Sequence, residues 1–543
     1  MVHYKLVFAA GFLPIVMLLY QIIPKKYRWI VLLLASLCFY STFSVRRMWF
    51  PLAAAAITWG IGLWLGALDA KQKKKLSELK AQKAEGSIPA EEVKTRRTQI
   101  NKHSVKSKRA VMILGIVLLL WLLLSVKYTD FALENVNWIL RKLGVEKQAA
   151  MRNLILPLGI SFYTLQAIGY LVDVYWNKVT PQKNPLKVLL FLSFFPTIIQ
   201  GPIAAYEQIS EALFAGNAID PDNLACGYLR LGWGAFKKLV IADRMYPAVC
   251  WLYYKPNAVG GIEVIAAAVM FTVMEYMDFS GCIDMAIGIG QIFGIRLPEN
   301  FKQPFLAKNA SEFWRRWHIS LGVWFKTYIF YPVSMSTLAR NWAKFAKEKK
   351  IAIHPTKMVA SAMALLPVWL CNGLWHGPKW TYIFYGVFYF VVILLELIFE
   401  PLGNAILEKC QLSIQSKGVT LFRVVKTWCV IFLGELFFEA NTVSDGFAML
   451  GRMFSGFGAS IQSAARISEW GMDASDWVIV LAGLLVVAII NHYREKGVQI
   501  TAVLLQKPLA LRWAAALSLI LVIMIFGLYG PGYQEVDMIY AGF

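Results

Sequence analysis

Residues 358–399 read MVASAMALLPVWLCNGLWHGPKWTYIFYGVFYFVVILLELIF. The stretch consists of two apolar runs, Met358–Trp375 and Thr381–Phe399, and a short connection between them that contains His376. A helix needs roughly 20 mostly apolar residues to cross the hydrocarbon core of a bilayer. We therefore predict two membrane-spanning helices with a histidine at their junction.

Apolar runs of the same kind recur along all 543 residues. Apolar residues make up 58% of the chain, whereas an ordinary soluble domain contains roughly 45–50%. We predict an all-α polytopic membrane protein, a single domain over residues 1–543, with about a dozen transmembrane helices and further re-entrant and interfacial helices. The predicted spans are Leu6–Pro24, Trp29–Ser44, Met48–Leu68, Ala110–Val126, Leu154–Tyr175, Val188–Ala205, Leu231–Tyr254, Ile262–Met277, Met358–Trp375, Thr381–Phe399, Val419–Phe438, Trp477–Tyr493 and Leu509–Tyr529.

The positive charge of the chain is concentrated in its loops. The formal net charge is +22, and residues 71–109 alone hold thirteen Lys or Arg against four Asp or Glu. Because cytoplasmic loops of membrane proteins collect Lys and Arg, we predict that this segment is a basic cytoplasmic helical hairpin, with a turn at 86–89 and Ser87 as a helix N-cap. Both chain termini are then expected on the outer side. Anionic lipid headgroups are the expected counter-charge, and nucleic acid is not an expected partner.

Neither a metal centre nor a disulfide is predicted. The seven cysteines show no C-x-x-C spacing, and the two histidines of interest, His318 and His376, have no evident third ligand. We find no internal repeat, which argues against a transporter built from two related halves.

One of these two, His318, lies in another tryptophan-rich segment. Residues 311–324 read SEFWRRWHISLGVW, and the whole chain has only six histidines. We predict that Ser311 caps a helix beginning at Glu312. The residue types alone leave both histidines open between a structural role and acid–base chemistry. The helical spacing places five residues on one face, namely Trp314, Trp317, His318, Leu321 and Phe325.

Acidic residues interrupt another apolar stretch. Residues 275–285 read EYMDFSGCIDM, with carboxylates at Glu275, Asp278 and Asp284. Ionisable groups at membrane depth are costly and usually face a cavity or a partner. The alternative interpretation is an interfacial loop whose acids cap helices.

Seven short motifs follow one another between about Pro157 and Gly386, with a weaker echo at 538–543. This ordered series resembles the membrane-bound O-acyltransferase (MBOAT) family, and within it the bacterial branch that holds the alginate O-acetyltransferase and the teichoic-acid D-alanyltransferase. Residues 157–386 are accordingly predicted to be the family core. The motifs are PLGISF (157–162), FFP with QGPI (194–196, 200–203), KK with AD (237–238, 242–243), DFSG with DMAIG (278–281, 284–288), NF with PF (300–301, 304–305), FWRRWHISL (313–321) and GLWHG (373–377).

The resemblance implies a ring of helices around a central tunnel, which an acyl donor enters from the cytoplasmic side and an acceptor hydroxyl from outside. His376 matches the invariant histidine of the family and is expected to be the general base. His318 matches the supporting histidine and is expected to orient the substrate or to stabilise the developing oxyanion. The residues expected to line or support the tunnel are Asp278, Ser280, Asp284, Trp314, Arg315, Arg316, Trp317, Asn372 and Trp375.

The resemblance further implies an enzyme of the bacterial plasma membrane that transfers an acyl group, expected to be acetyl, to hydroxyls of an extracellular or cell-wall polysaccharide. The thioester donor, acetyl-CoA or an acyl carrier, is a substrate, and no bound cofactor is expected. In D-alanyltransferases a basic segment follows the Gly-Pro-Ile motif, whereas Ala204–Glu207 follows it here, which favours acetyl. The alternatives are D-alanyl transfer to teichoic acid, delivery of the acyl group to a secreted partner acyltransferase, and a non-catalytic transporter or flippase.

Overall fold

We analysed a computed structural model of the protein that describes residues 2–5, 7–254, 260–455, 464–530, 533 and 536. Throughout this part of the chain the regular secondary structure is helical, which confirms the predicted all-α fold. The weak motif at 538–543 lies outside the described residues. The α-helices are α1 (Leu13–Ile22), α2 (Arg28–Ser44), α3 (Trp49–Ala84), α4 (Ala90–Lys127), α5 (Thr129–Lys142), α6 (Ile160–Tyr175), α7 (Pro185–Ser193), α8 (Tyr206–Ala215), α9 (Pro221–Ala235), α10 (Asp243–Tyr254), α11 (Gly261–Ile292), α12 (Ala310–Arg316), α13 (Ile319–Phe325), α14 (Tyr331–Ser334), α15 (Thr337–Glu348), α16 (Ile353–His376), α17 (Trp380–Lys409), α18 (Lys417–Glu439), α19 (Val443–Ser455), α20 (Ala474–Glu495), α21 (Ile500–Leu505) and α22 (Leu509–Phe526).

Within the described ranges, seven helices are long and apolar enough to cross a membrane. The chain is therefore a multi-pass membrane protein. Each of the seven overlaps one of the predicted spans over most of its length, and the other predicted spans correspond to helices that are shorter, interrupted or less apolar. The seven are α3, α4, α16, α17, α20, α22 and the segment Lys25–Arg47 that includes α2.

Two predicted spans are not continuous α-helices. In the span predicted at 188–205, α7 already ends at Ser193, shortly before Pro196, because the residue before a proline is disfavoured in the helical conformation. The span predicted at 231–254 is divided into α9, a π-helical segment at Phe236–Ala242 and α10. Apolar composition predicts burial but does not reveal where a helix changes its hydrogen-bonding pattern.

The described residues form two compact units. The first contains α1 to α8, over Phe12–Ile199 and Ile203–Ala218, and the second contains the helices from α9 onward. That residues 1–543 act as a single membrane domain, and that 157–386 form its core, stay predictions.

In the first unit, the basic segment forms a helical hairpin from the polar halves of α3 and α4. The turn between them, residues 85–89, coincides with the predicted one, but the N-cap of α4 is Pro89 and not Ser87. Gln72 Nε2 donates a hydrogen bond to Asn101 Oδ1 at 2.9 Å, which fixes the register of the two helices. The side of the membrane on which the hairpin lies stays a prediction.

In the second unit, α11 is the central helix, and nearly all its residues from Met270 onward are buried. It packs backbone against backbone on α9. A Cβ atom added at Gly281 would lie 2.8 Å from the Gly234 carbonyl oxygen, and one at Gly288 would lie 2.6 Å from that of Gly227. The segment 275–285 is therefore part of one buried helix and not an interfacial loop, as glycines permit close helix approach.

Candidate active site

His376 is the last residue of α16, where α16 packs tightly against α17. A Cβ atom at Gly373 would lie 2.4 Å from the Tyr382 carbonyl oxygen, and one at Gly386 would lie 2.3 Å from that of Trp369. Only glycine allows this separation of the two helices. Gly373, in the GLWHG motif, and Gly386, on α17, thus help to fix where His376 lies.

Aromatic rings surround the His376 imidazole, which is 3% exposed. The ring centroid of Phe438, on α18, lies 5.1 Å from that of His376. On α17, the Tyr385 ring lies at 5.8 Å and the Tyr382 ring at 6.2 Å. An imidazole in these surroundings is held in an apolar, water-poor environment.

The structure places His318 between two helices, and the single helix predicted through this segment is wrong. α12 ends at Arg316 and α13 begins at Ile319. His318 has φ +46° and ψ +49°, in the left-handed region, which a continuous right-handed helix excludes. The predicted N-cap is also wrong by two residues, because Asn309 Oδ1, and not Ser311, accepts a hydrogen bond from the Glu312 N–H at 2.7 Å.

Asn300 explains why the helix is interrupted at His318. Its side-chain Oδ1 accepts hydrogen bonds from the N–H and the Oγ–H of Ser320, both at 2.9 Å. Its backbone carbonyl oxygen accepts a third from the Ile319 N–H, also at 2.9 Å. These bonds satisfy the first N–H groups of α13 and hold the backbone of His318 in its left-handed conformation.

Trp375 lies against both histidines. Its ring centroid is 5.3 Å from that of His318 and 5.1 Å from that of His376, with an edge-to-face arrangement in each case. Both histidines also line one cavity of about 480 Å³. Two segments that are separated by some sixty residues therefore contribute an imidazole each to the same site.

The cavity is mainly apolar. Of the residues predicted to line the tunnel, Trp314, Arg315, Trp317 and Asn372 do line it. In its described lining the charged side chains are Arg315 and Lys326, both cationic. The apolar and aromatic lining residues, besides the tryptophans named above, are Ile319, Leu321, Val323, Phe325, Phe330, Leu365, Val368, Trp369 and Ile393.

Three predicted residues on α11 lie outside the lining of this cavity. Asp284 is paired with Lys237 Nζ at 2.7 Å, and the same ammonium group donates to Ser280 Oγ at 2.8 Å. Asp278 is paired with Lys238 Nζ at 2.5 Å. The structure therefore shows these side chains in buried polar contacts that link α11 to the π-helical segment.

Arg316 also lies outside the cavity lining. Its guanidinium pairs with Glu312 at 2.9 Å and with Glu495, at the end of α20, at 3.0 Å. The adjacent Trp317 ring stacks on Phe313 with 5.4 Å between the centroids. Arg316 and Trp317 thus anchor α12, whereas Arg315, which precedes them, is exposed and reaches the cavity.

Sequence reasoning missed three residues near the site. Besides Asn300, these are Tyr385, whose hydroxyl donates to Glu435 Oε1 at 2.8 Å, and Glu435, which is also hydrogen-bonded to Glu275. Glu435 is an isolated carboxylate within the apolar run 419–438, and that is a signal for a buried functional or paired group. The partner on a distant helix could not be read from the sequence.

Metal binding by this site has no support in the described part of the chain, where no three His, Cys, Asp or Glu side chains are grouped to hold an ion. The absence of a metal and of a bound cofactor stays a prediction. Besides the two imidazoles, the polar side chains in the described lining of the cavity are Ser311, Arg315, Lys326 and Asn372.

The structure thus combines a helical membrane fold with two buried histidines at one apolar cavity, and the class of membrane protein follows from comparison with known families. The sequence model of the membrane-bound O-acyltransferase family matches residues 181–346 of this chain, and the chain is an O-acyltransferase. This confirms the family predicted from the motifs. The matched region contains His318 but not His376.

The chain is also similar in sequence to particular bacterial acyltransferases. The chain is 27% identical to the probable alginate O-acetylase AlgI of Pseudomonas syringae pv. tomato, over 91% of this chain and 83% of that protein. It is 33% identical to the peptidoglycan O-acetyltransferase of Helicobacter pylori, over 55% of this chain and 57% of that protein. It is 26% identical to the teichoic acid D-alanyltransferase of Bacillus subtilis, over 53% of this chain and 70% of that protein.

Proposed function

We propose that the protein transfers an acetyl group from a thioester donor to a hydroxyl of a polysaccharide, with His376 as the general base. The observation that carries the proposal is the single apolar cavity lined by both His318 and His376. A hydroxyl nucleophile must lose its proton as it attacks a carbonyl carbon, and a neutral imidazole suits that role near pH 7.

In the proposed step, His376 accepts the proton of the acceptor hydroxyl while the hydroxyl oxygen attacks the thioester carbonyl carbon. The C–O bond forms, the C–S bond breaks, and the leaving thiolate takes the proton from the imidazolium. The products are an ester and a free thiol, and His376 returns to its neutral form.

The lining of the cavity supports acyl transfer over hydrolysis. Water competes with the acceptor hydroxyl for the same thioester carbon. Apolar side chains such as Leu321, Phe325 and Trp369 leave few sites at which water can be held. Exclusion of water from the reacting carbon is a recognised way to suppress this side reaction.

The charge of the cavity favours acetyl over D-alanyl. A D-alanyl group carries an ammonium beside its carbonyl, and the charged side chains of the described lining, Arg315 and Lys326, have the same sign. A like charge in a site of low dielectric constant disfavours binding. The long match to an alginate O-acetylase, over 91% of this chain, and the segment Ala204–Glu207 support the same choice.

We further propose that the donor is acetyl-CoA or an acyl carrier on the cytoplasmic side, that the acceptor is an extracellular or cell-wall polysaccharide, and that the enzyme lies in the bacterial plasma membrane with both termini outside. Relatives named for alginate, peptidoglycan and teichoic acid support a polymer acceptor. Hand-over to a secreted partner acyltransferase is the alternative route. Anionic lipids are the proposed counter-ions of the basic loops.

The test uses the purified full chain in proteoliposomes with donor on one side and polymer on the other. Label from acetyl-CoA should appear as ester on alginate or peptidoglycan fragments, whereas a D-alanyl thioester should give no product. Label that reaches the polymer only after a secreted acyltransferase is added would favour hand-over. Release of intact donor across the membrane without ester formation would contradict the proposal.

A further inference from the structure

The Asn300 side chain has one orientation that its surroundings permit. The Ser320 backbone N–H, which is always a donor, lies 2.9 Å from the side-chain atom assigned as Oδ1. Turning the amide would put its NH₂ group, also a donor, against this N–H. The oxygen of Asn300 therefore faces Ser320.

The same oxygen faces the ring of His318. His318 Nδ1 lies 3.3 Å from Asn300 Oδ1. A carbonyl oxygen only accepts, so this contact is favourable when Nδ1 carries the proton and repulsive when it presents a lone pair. In a neutral imidazole one nitrogen is protonated and the other is not, and a hydrogen bond at one nitrogen decides which.

We propose that Asn300 is a positioning residue that holds His318 in the Nδ1–H tautomer, so that Nε2 is a hydrogen-bond acceptor toward the substrate. Asn300 is fully buried and is not among the described lining residues of the cavity. It therefore acts through His318 and does not touch the reacting groups.

The ring of His318 is fixed in other directions as well. The Phe279 ring lies edge-to-face at 4.8 Å and the Trp375 ring at 5.3 Å. Burial lowers the pKa of His318 to about 3, so the imidazole stays neutral at physiological pH. The neutral imidazole of His318 is thus held in one tautomer and one ring orientation.

This inference deepens the proposed function and rests on it, because it decides between the two roles expected for His318. An unprotonated Nε2 cannot donate a hydrogen bond to the developing oxyanion. It can accept one from the hydroxyl of the acceptor, and so direct the oxygen of that hydroxyl toward the thioester carbon while His376 removes the proton. His318 is then a group that orients the nucleophile.

The direct test is ¹⁵N NMR of the full chain labelled in its histidines, in nanodiscs, with the His318 signals assigned by their loss in His318→Gln. The expected spectrum has a protonated Nδ1 and an unprotonated Nε2. Asn300→Leu should shift His318 toward the Nε2–H form. Asn300→Asp, which keeps an acceptor oxygen, and Ser320→Ala, which keeps the backbone N–H, should leave the tautomer unchanged.

The kinetic readout separates this role from a merely structural one. Asn300→Leu should lower kcat about 10–100-fold, as loss of an orienting partner behind a functional histidine does, with a smaller change in KM, and Asn300→Asp should recover most of the rate. An Nε2–H tautomer in the unmodified protein, or an unchanged tautomer in Asn300→Leu, overturns the inference. The NMR result does not depend on turnover, so it stands apart from the proposed function, which fails separately if His376→Ala still transfers acetyl.

Discussion

At the scale of single residues, a buried polar pair lies beside the ring of His376. It consists of Glu435 and Tyr385. The Tyr385 hydroxyl donates to Glu435 at 2.8 Å, and Glu435 is hydrogen-bonded to Glu275. Two neighbouring buried carboxyl groups disfavour simultaneous ionisation, so we expect this pair to share a proton. The pair holds Tyr385, and through its ring the wall beside His376, in place.

Replacement of Glu435 tests this pair. Glu435→Leu leaves Tyr385 and Glu275 without this partner and should lower the free energy of unfolding by about 1–3 kcal/mol, the cost of buried polar groups left unsatisfied. Glu435→Gln retains a donor and an acceptor and should change it far less. Thermal unfolding of both variants in detergent checks the difference, and equal stability of the two would contradict the shared-proton arrangement.

The conformation of His318 shows what the sequence cannot supply at this scale. His318 was predicted as a candidate site residue, since tryptophans and arginines around a histidine in an apolar chain are unusual. The left-handed backbone at His318 was not, because it depends on Asn300, eighteen residues earlier, whose hydrogen bonds interrupt the helix. Residue spacing describes one helix and carries no information about a bond from a neighbouring loop.

At the scale of elements, the contact of α16 with α17 sets the position of His376. A Cβ atom at Gly386 would lie 2.3 Å from the Trp369 carbonyl oxygen, whereas one at Gly403, also on α17, would meet nothing within 4 Å. The same substitution on one helix should therefore have opposite effects at the two positions.

Gly386→Ala should force α17 away from α16, lower the free energy of unfolding by about 1–3 kcal/mol as overpacking does, and reduce acetyl transfer by displacing His376. Gly403→Ala should raise it by about 0.5–1 kcal/mol, because alanine is the better helix former. Thermal unfolding and initial rates check both. A Gly386→Ala protein as stable and as active as Gly403→Ala would show that this contact does not position the histidine.

Helices were predicted well where a long apolar run stands alone and less well where the chain is buried on all sides. The spans at 358–375 and 381–399 lie within α16 and α17. By contrast, the predicted span at 231–254 is two α-helices joined by a π-helical segment. The segment 231–254 contains buried charged residues among its apolar ones, Lys237, Lys238 and Asp243. The positions at which its helix is interrupted depend on packing against other helices, which composition does not reveal.

At the scale of the whole molecule, the charge distribution makes a prediction about orientation. The hairpin of α3 and α4 carries thirteen of the Lys and Arg residues and should lie in the cytoplasm by the positive-inside rule. An epitope inserted after Gly86, in the exposed turn, should be tolerated at such a loop tip. Antibody should reach it in permeabilised cells only, and labelling of intact spheroplasts would place the hairpin on the opposite side.

The family and its reaction class could be predicted from the order of seven motifs, because motif order reflects a whole fold and each motif alone does not. What that order could not tell was which motif residues face the cavity. Arg315 and Asn372 line it, whereas Asp278 and Asp284 are in ion pairs outside its described lining. A motif residue can lie in the lining of the cavity or in a buried ion pair outside it, and the motif alone does not distinguish the two.

The most direct test of the central claim, that one cavity with two histidines performs acyl transfer, is the rate of label transfer from acetyl-CoA to polymer by purified His376→Ala in proteoliposomes. The matched control is His492→Ala, an exposed histidine on α20. With the general base removed, transfer should fall at least about 10²–10⁴-fold, while the control keeps the unmodified rate. His376→Ala protein that is folded, present at equal amount and as fast as the control would contradict the account.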